Sequence, residues 1–107
     1  MRYDPEKWDG MDDAAVFLHR QERVEKGMSF YDWINADKFI AQVIVDTCTR
    51  FIEEGCGFPG QLTETEWNEI LGEIRQGFQE YLEDKENTTN YGRAMKLFAE
   101  WHPHLWD

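Results

Sequence analysis

The stretch of sequence that decides the fold is Gly57-Phe-Pro-Gly-Gln-Leu-Thr-Glu-Thr-Glu-Trp-Asn-Glu-Ile-Leu71, a loop that leads into a helix. Thr63 and Glu66 have the T-x-x-E spacing of a capping box, in which each side chain accepts a hydrogen bond from a backbone N–H at the start of the helix. Leu62 and Trp67 occupy the two positions of a hydrophobic staple, which fixes the direction in which the chain enters the helix. The stretch therefore predicts a helix over residues 63–83.

This predicted helix has one apolar and one acidic face. Its large apolar residues recur at steps of three and four, as expected for a buried helix face, at Trp67, Ile70, Leu71, Ile74, Phe78, Tyr81 and Leu82. Gly77 lies on the same side, which predicts the close approach of a neighbouring helix or ring. The apolar face is predicted to be architecture, so any function of this helix is expected on the acidic face.

Two helices are predicted before this loop. Asp12 or Asp13 can cap a helix over residues 12–26, which Gly27 ends. Ser29 and Asp32 have a weaker S-x-x-D cap spacing, which opens either a short turn or the next helix directly. The most apolar helix follows over residues 34–54 and is predicted to remain helical through a β-branched run at 43–45, because the helical period continues on both sides. The predicted apolar positions of these two segments are Ala14, Val16, Phe17, Leu18, Val24, Trp33, Ala36, Phe39, Ile40, Val43, Ile44, Cys48, Phe51 and Ile52.

The C-terminal part predicts one more helix and a packed tail. A helix over residues 89–101 follows a polar connection, and Pro103 ends it because the residue before a proline is disfavoured in the α conformation. Leu105 and Trp106 are expected to fold back on the core. The sequence thus predicts an all-α, antiparallel bundle of about four helices in a single domain, residues 1–107, centred on the second and third helices. Residues 1–11 are expected to form an extended arm and residues 102–107 the tail.

The charge of the chain restricts its partners. Its 107 residues include 22 Asp and Glu against 11 Lys and Arg, which gives a net charge of −11. Direct binding to nucleic acid is not expected, because phosphate contacts require clustered Lys and Arg. The segment 53–84 contains nine acids and a single base, Arg75, which leaves eight of the eleven net negative charges there. This charge is typical either of a solvated, solubilising face or of a surface that fits a basic partner.

No catalytic, cofactor or metal motif stands out. Cys48 lies on an apolar stripe and is expected in the core, whereas Cys56 lies in the glycine-rich loop and has no predictable histidine partner. Two cysteines too far apart for a disulfide are typical of a reducing cytoplasm. His102 and His104, with Asp107, could suggest a metal ligand set, but the spacing of a zinc site is absent. We expect no signal peptide, because the first residues are charged and not apolar. The longest apolar block, 39–45, is too short to span a membrane.

Several short motifs in chain order resemble small proteins encoded in phage and prophage genomes. The motifs are Gly27-x-Ser29-x-x-Asp32-Trp33, then Gly57-Phe58-Pro59, then Leu62-Thr63-x-x-Glu66-Trp67-x-x-Ile70-Leu71, then Leu97-Phe98-Ala99 and finally Leu105-Trp106-Asp107. The similarity covers most of the chain from about residue 27. It implies a phage origin and a location in the cytoplasm of a bacterial host, and it carries over no catalytic residue.

These observations lead to a functional hypothesis without an enzymatic activity, a metal or a cofactor. The chain is expected to be an acidic phage protein that binds and inhibits a host nuclease or other nucleic-acid-binding defence protein, of the anti-CRISPR or anti-restriction type, as a nucleic-acid mimic. The expected partner-binding residues are Glu64, Glu69, Glu73, Glu80, Glu83 and Asp84. The alternatives are a structural or accessory module of a phage that forms homo-oligomers, and a small enzyme or ligand binder.

Overall fold

The protein is all-α in the part that the computed structural model describes, which comprises residues 11–55, 57–83 and 89–106. Within these residues there is no strand. The α-helices, in chain order, are α1 (Asp13–Lys26), α2 (Phe30–Ile34), α3 (Ala36–Glu54), α4 (Glu64–Leu82) and α5 (Thr89–Trp101), followed by a 3-10 turn (His102–His104). The predicted all-α helical bundle is therefore confirmed.

The chain forms two compact units, Met1–Ile40 and Ala41–Asp107, which we call unit 1 and unit 2. Helix α3 runs through the boundary between them. The single domain predicted for residues 1–107 stays a prediction. Residues 1–10 of the predicted arm lie outside the described residues.

Helix α1 begins and ends where the sequence predicts. The Asp12 side chain accepts a hydrogen bond from the backbone N–H of Ala15 at 2.8 Å, and Gly27 ends the helix in the left-handed region with φ of 83°. The predicted apolar stripe is wrong for Phe17 and Leu18, because both are exposed, as is Val24. The helix instead buries His19, whose ring packs edge-on against the ring of Tyr31 in α2.

Helix α2 is a separate element of five residues, so the capping box at Ser29 and Asp32 opens a short helix and not α3. The buried Asp32 carboxylate accepts two hydrogen bonds from the Arg23 guanidinium, from Nε and Nη2, each at 2.7 Å. It also accepts one from the backbone N–H of Ser29 at 3.0 Å. The sequence places Trp33 on a buried stripe, and this prediction is wrong. Because the Asp32 side of α2 faces inward, the Trp33 side chain is exposed.

Helix α3 is helical through residues 43–45, as predicted, but its buried face is narrower than its apolar stripe. Ala41, Ile44, Val45 and Cys48 are buried, and their spacing of three, one and three residues defines a single helix face. The predicted stripe is wrong for Ile40 and Val43, which lie off that face and are exposed.

Helices α4 and α5 pack closely against each other within unit 2. Trp67 near the start of α4 contacts Trp101 at the end of α5, and Tyr81 near the end of α4 stacks on Tyr91 near the start of α5 with ring centroids 4.8 Å apart. These two pairs show that the helices are antiparallel. The sequence predicts that the second and third predicted helices, which correspond to α3 and α4, form the centre of the bundle. The close packing described here joins α4 and α5 instead.

Gly77 is the point of closest approach in this pair, which confirms its predicted role. A Cβ atom added at Gly77 would collide with the Ala94 side chain and with the Asn90 backbone carbonyl. The two backbones can thus approach each other only because residue 77 has no side chain.

The C-terminal tail packs only in part. Leu105 is half-buried, but Trp106 is 75 % exposed, so the prediction that both side chains fold back is wrong for Trp106. Two local backbone hydrogen bonds, from Leu105 N–H to the His102 carbonyl and from Trp106 N–H to the His104 carbonyl, turn the chain here. Trp106 lies at the rim of a shallow depression of about 120 Å³ beside the loop 57–59.

We predict that Gly77→Ala lowers the free energy of unfolding by up to about 2 kcal/mol, because overpacking costs about 1–3 kcal/mol and the higher helix propensity of alanine returns roughly 1 kcal/mol of it. Gly72→Ala is the matched control, because a Cβ at Gly72 meets nothing within 4 Å and lies in the same helix. Urea denaturation followed by circular dichroism measures both variants, and equal effects would contradict the close approach at Gly77.

We predict that Asp32→Ala lowers the free energy of unfolding by about 3 kcal/mol, because it removes a cap and leaves the half-buried Arg23 guanidinium without its carboxylate. Asp13→Ala is the control, because Asp13 is an exposed acid in the first turn of α1, and it is expected to change stability by about 0.5 kcal/mol or less. Denaturation curves of the two variants should separate clearly; superimposable curves would show that the buried ion pair adds nothing to stability.

Candidate functional site

The acidic residues predicted to bind a partner fall mostly on the outer side of α4. Glu64, Glu69 and Glu73 are exposed along the helix, and Glu83 is exposed at its C-terminal cap. Asp84 lies outside the described residues. The sequence therefore located a set of carboxylates that the structure presents to solvent, although the binding role of these residues stays a prediction.

The first turn of α4 fixes where this acidic face begins. The Thr63 hydroxyl accepts a hydrogen bond from the Glu66 N–H at 3.1 Å, and Glu66 Oε1 accepts one from the Thr63 N–H at 2.9 Å, which confirms the predicted capping box. Glu64 and Glu66 both lie in the first turn, where the positive end of the helix stabilises carboxylates. Trp67, Leu71 and the residues that follow on the same face are buried, so the opposite face stays exposed.

A groove of about 560 Å³ lies between this acidic face and α5. Its lining includes three glutamates and one arginine, and the full set is Leu62, Glu66, Glu69, Ile70, Gly72, Glu73, Gln76, Asn90 and Arg93. We call it the acidic groove. It brings together two of the residues predicted from the sequence, Glu69 and Glu73, with a charge that is negative overall.

Basic side chains neutralise little of this charge. Arg93 Nη2 lies 3.3 Å from one oxygen of Glu73 and 3.4 Å from the other, in an ion pair that is half exposed on both sides. Within the described residues, Glu64 and Glu69 have no ion-pair partner. Arg75 is turned away, since its Nη1 donates to the Thr49 hydroxyl of α3 at 3.4 Å. The single base of segment 53–84 therefore leaves the acidic groove negative.

Glu80 differs from the other predicted residues. It is only half exposed, and its Oε1 accepts a hydrogen bond from the Asn90 side-chain amide at 3.3 Å. Its Oε2 is enclosed and accepts no hydrogen bond from any described residue. Glu80 thus faces the start of α5 and does not line the acidic groove.

Four polar groove residues were not predicted from the sequence as binding residues, namely Glu66, Gln76, Asn90 and Arg93. Glu66 and Gln76 could have been found, because they lie at helical steps from Glu69 and Glu73 and so share their face. Asn90 and Arg93 belong to α5. Their position could not be found without the pairing of the two helices, which depends on Gly77 and the aromatic contacts.

The described cysteine and histidine side chains that could suggest enzymatic or metal chemistry are buried in the core or packed against aromatic rings. Cys48 is fully buried, and the loss of hydration raises the pKa of its thiol to about 11, although the nearby Arg75 charge acts in the opposite direction. His102 packs against Phe98, and His104 against Trp101, with ring centroids 5.3 Å apart in each pair. Cys56 and Asp107 lie outside the described residues.

The described residues contain no candidate for two other kinds of site, a metal centre and a membrane span. No three His, Cys, Asp or Glu side chains there lie close enough to hold a metal ion together. Each helix in that part of the chain is too short or too polar to cross a membrane.

No protein-family profile, no curated protein and no solved structure matches the chain. The similarity to phage and prophage proteins therefore stays a prediction from the motifs.

We predict that Cys48 is unreactive in the folded protein, because the reactive species is the thiolate and its formation is opposed by burial. Burial raises the pKa of Cys48 from 9.0 to about 11, so the neutral thiol stabilises the fold fully below pH 9, and this stabilisation is lost between about pH 9 and 11. Labelling with a disulfide reagent at pH 8, in a Cys56→Ser variant, should be slow in buffer and fast in urea. Equal rates in the two conditions would contradict the burial of Cys48.

Proposed function

We propose that this chain is a non-enzymatic, phage-encoded protein that binds a basic surface of a host nucleic-acid-binding defence protein through the acidic groove. The targets that this hypothesis favours are CRISPR effectors and restriction enzymes in the host cytoplasm. The observation that carries the proposal is the net negative charge of the acidic groove, whose three glutamates face a single arginine, Arg93. Electrostatic complementarity of this kind increases the rate and the specificity of binding to a positive partner.

Rigid presentation supports the proposal. The carboxylates lie on a helix with a double cap at its start and six buried residues along its inner face, so they keep their positions relative to one another. Ordering long side chains and mobile backbone is one of the main costs of association. Because the acidic face is already ordered, less of its electrostatic attraction is offset by an entropy cost on binding, and the affinity for a basic partner is higher than that of a flexible acidic segment.

The spacing of the carboxylates defines what they can imitate. At a rise of 1.5 Å per residue, Glu66, Glu69 and Glu73 follow one another at about 4.5 and 6 Å along the axis of α4. Successive phosphates of one DNA strand rise by about 3.4 Å. The groove thus has the same sign of charge as a nucleic-acid backbone. The spacing of its carboxylates lies between one and two times the rise from one phosphate to the next. This geometry favours a partner that uses flexible Lys and Arg side chains over one that reads an ideal duplex.

A structural module that forms homo-oligomers is the second candidate. The observation that favours it is the group of large apolar side chains that unit 1 exposes, among them Phe30, Trp33 and Ile34. Such an apolar surface does not suit a basic partner.

The experiment is capture of partners from host lysate by the tagged protein, followed by mass spectrometry and by binding measurements with the purified partner. We predict that Glu69→Lys/Glu73→Lys weakens binding at least about tenfold, mainly through a slower association rate, and that added salt weakens binding of the unchanged protein. A nucleic-acid mimic also requires that duplex DNA displaces the protein from its partner.

The matched control is Glu53→Lys/Glu54→Lys, which changes the net charge by the same amount on exposed residues at the end of α3. It should retain most of the affinity, since it leaves the acidic groove intact. Undiminished binding by Glu69→Lys/Glu73→Lys, or an equal loss in both variants, would refute the groove as the binding site.

A further inference from the structure

We propose that the depression between the loop 57–59 and the C-terminal turn binds a quaternary ammonium group of the trimethylammonium type. We call it the aromatic depression, and its lining is Gly57, Phe58, Pro59, His104 and Trp106. The proposal is independent of the acidic groove, because no residue lines both. Its basis is the aromatic lining, the volume, the few hydrogen-bond acceptors and the charge of the two segments that form the depression.

Two exposed aromatic side chains line the aromatic depression. Phe58 is 47 % exposed and Trp106 is 75 % exposed, and the lining also includes His104, a third residue with a ring. A cation is attracted to the face of an aromatic ring when it lies within about 6 Å of the ring centroid, and tryptophan attracts it most strongly. Several aromatic residues around one small cavity are typical of sites that bind quaternary ammonium groups.

Both sides of the aromatic depression are held by contacts within unit 2. On one side, the Trp106 N–H donates to the His104 carbonyl at 2.9 Å, and the His104 ring packs against Trp101 with centroids 5.3 Å apart. On the other side, Pro59 is buried, and its carbonyl accepts a hydrogen bond from the Leu62 N–H at 2.9 Å. The backbone on both sides is thus ordered without a ligand, which lowers the entropy cost of binding.

The volume of the aromatic depression fits a small head group. The depression holds about 120 Å³. A water molecule takes up about 30 Å³ of liquid, so this volume admits about four non-hydrogen atoms. A trimethylammonium group has this size, whereas a nucleotide base or a sugar ring is too large.

Hydrogen bonding disfavours cations that carry N–H groups. Of the side chains that line the depression, only the imidazole of His104 can accept a hydrogen bond. The backbone carbonyls of Pro59 and His104 already accept hydrogen bonds from within the chain. A lysine ammonium or an arginine guanidinium would lose water here and leave N–H donors unpaired, which is unfavourable. A quaternary ammonium group has no donor and therefore loses no hydrogen bond.

The charge of the two segments that form the depression also favours a cation. The sequence contains no Lys or Arg between Arg50 and Arg75 and none after Lys96. The same two segments, 51–74 and 97–107, contain eight Asp or Glu. Because the whole chain has a net charge of −11, it attracts small cations and repels anions.

The test is an NMR titration of the full chain with choline chloride, in which sodium chloride keeps the ionic strength constant. The indole N–H signals of the five tryptophans are followed, and the signal absent from Trp106→Phe is that of Trp106. This signal should shift and saturate with a Kd in the millimolar range. The signal of Trp33, assigned in the same way, is the internal control, because this tryptophan is 64 % exposed in unit 1 and should not shift.

Dimethylbutanol, in which a carbon atom replaces the nitrogen of choline, is the matched neutral ligand. It should bind at least about fivefold more weakly than choline, since it lacks the cation–π attraction. A short peptide with one trimethyllysine, compared with the same peptide carrying lysine, distinguishes a modified protein from a free head group as the source. Binding of either ligand supports the site, and the tighter one identifies the source.

Phe58→Ala should weaken choline binding at least about fivefold, because it removes one of the rings. Phe30→Ala is the control, since Phe30 is 54 % exposed in unit 1, and it should bind choline normally. If circular dichroism shows that Phe58→Ala has lost helix, Phe58→Leu replaces it, because leucine keeps an apolar side chain without a ring.

The absence of a saturable Trp106 shift with the trimethyllysine peptide and with choline up to about 100 mM would overturn the proposal. Equal binding of choline and dimethylbutanol would overturn it as well, because the depression would then recognise apolar shape and not a cation. Full binding by the folded Phe58 variant would show that the site lies elsewhere.

Discussion

The close contact between α4 and α5 at Gly77 is the constraint on which unit 2 depends. Because residue 77 has no side chain, Ala94 and the Asn90 carbonyl can lie against the backbone of α4. This approach lets the aromatic residues on either side pair across the two helices, from Trp67 to Tyr81 along α4. It also brings Asn90 and Arg93 beside Glu69 and Glu73, so the shape of the acidic groove follows from a glycine on the buried side of the same helix.

Unit 1 is organised by a different interaction, the buried ion pair between Arg23 and Asp32. A carboxylate enclosed at this depth must have its oxygens satisfied, and here three N–H groups donate to them. Satisfying Asp32 determines how α2 is oriented and therefore which side chains α2 exposes. Each unit thus combines an internal contact with an outer surface of a definite character: acidic in unit 2 and apolar in unit 1.

The parts of the fold that the sequence predicts well are those with local causes. The capping boxes at Ser29 and Thr63 and the C-terminal glycine of α1 were identified correctly, because each depends on residues at most a few positions apart. The last predicted helix, 89–101, agrees with α5 at both ends. The acidic face of α4 was also visible, since helical spacing alone separates it from the buried face.

The errors concern which apolar residues are buried. Seven residues placed on apolar stripes are exposed, namely Ala14, Phe17, Leu18, Val24, Trp33, Ile40 and Val43. Periodicity shows which residues share a face, but it does not show which of two adjacent apolar faces meets a neighbour. In α2, the buried side is determined by a polar residue, Asp32, because its carboxylate binds Arg23 of α1. In the acidic groove, the residues from α5 were likewise determined by contacts distant in sequence.

The exposed face of α4 has a consequence for how this protein can change over evolutionary time. Glu66 and Glu69, and then Glu69 and Glu73, are like charges at helical neighbour spacing, each pair unfavourable by about 0.2–0.5 kcal/mol. Glu66 belongs to the cap of the helix and Glu73 pairs with Arg93, so both have a structural reason to be kept. Glu69 has neither role, and replacing it would leave the fold intact and slightly more stable. Random substitution would therefore remove this acid unless selection for binding maintained it, and position 69 would report most directly on that selection.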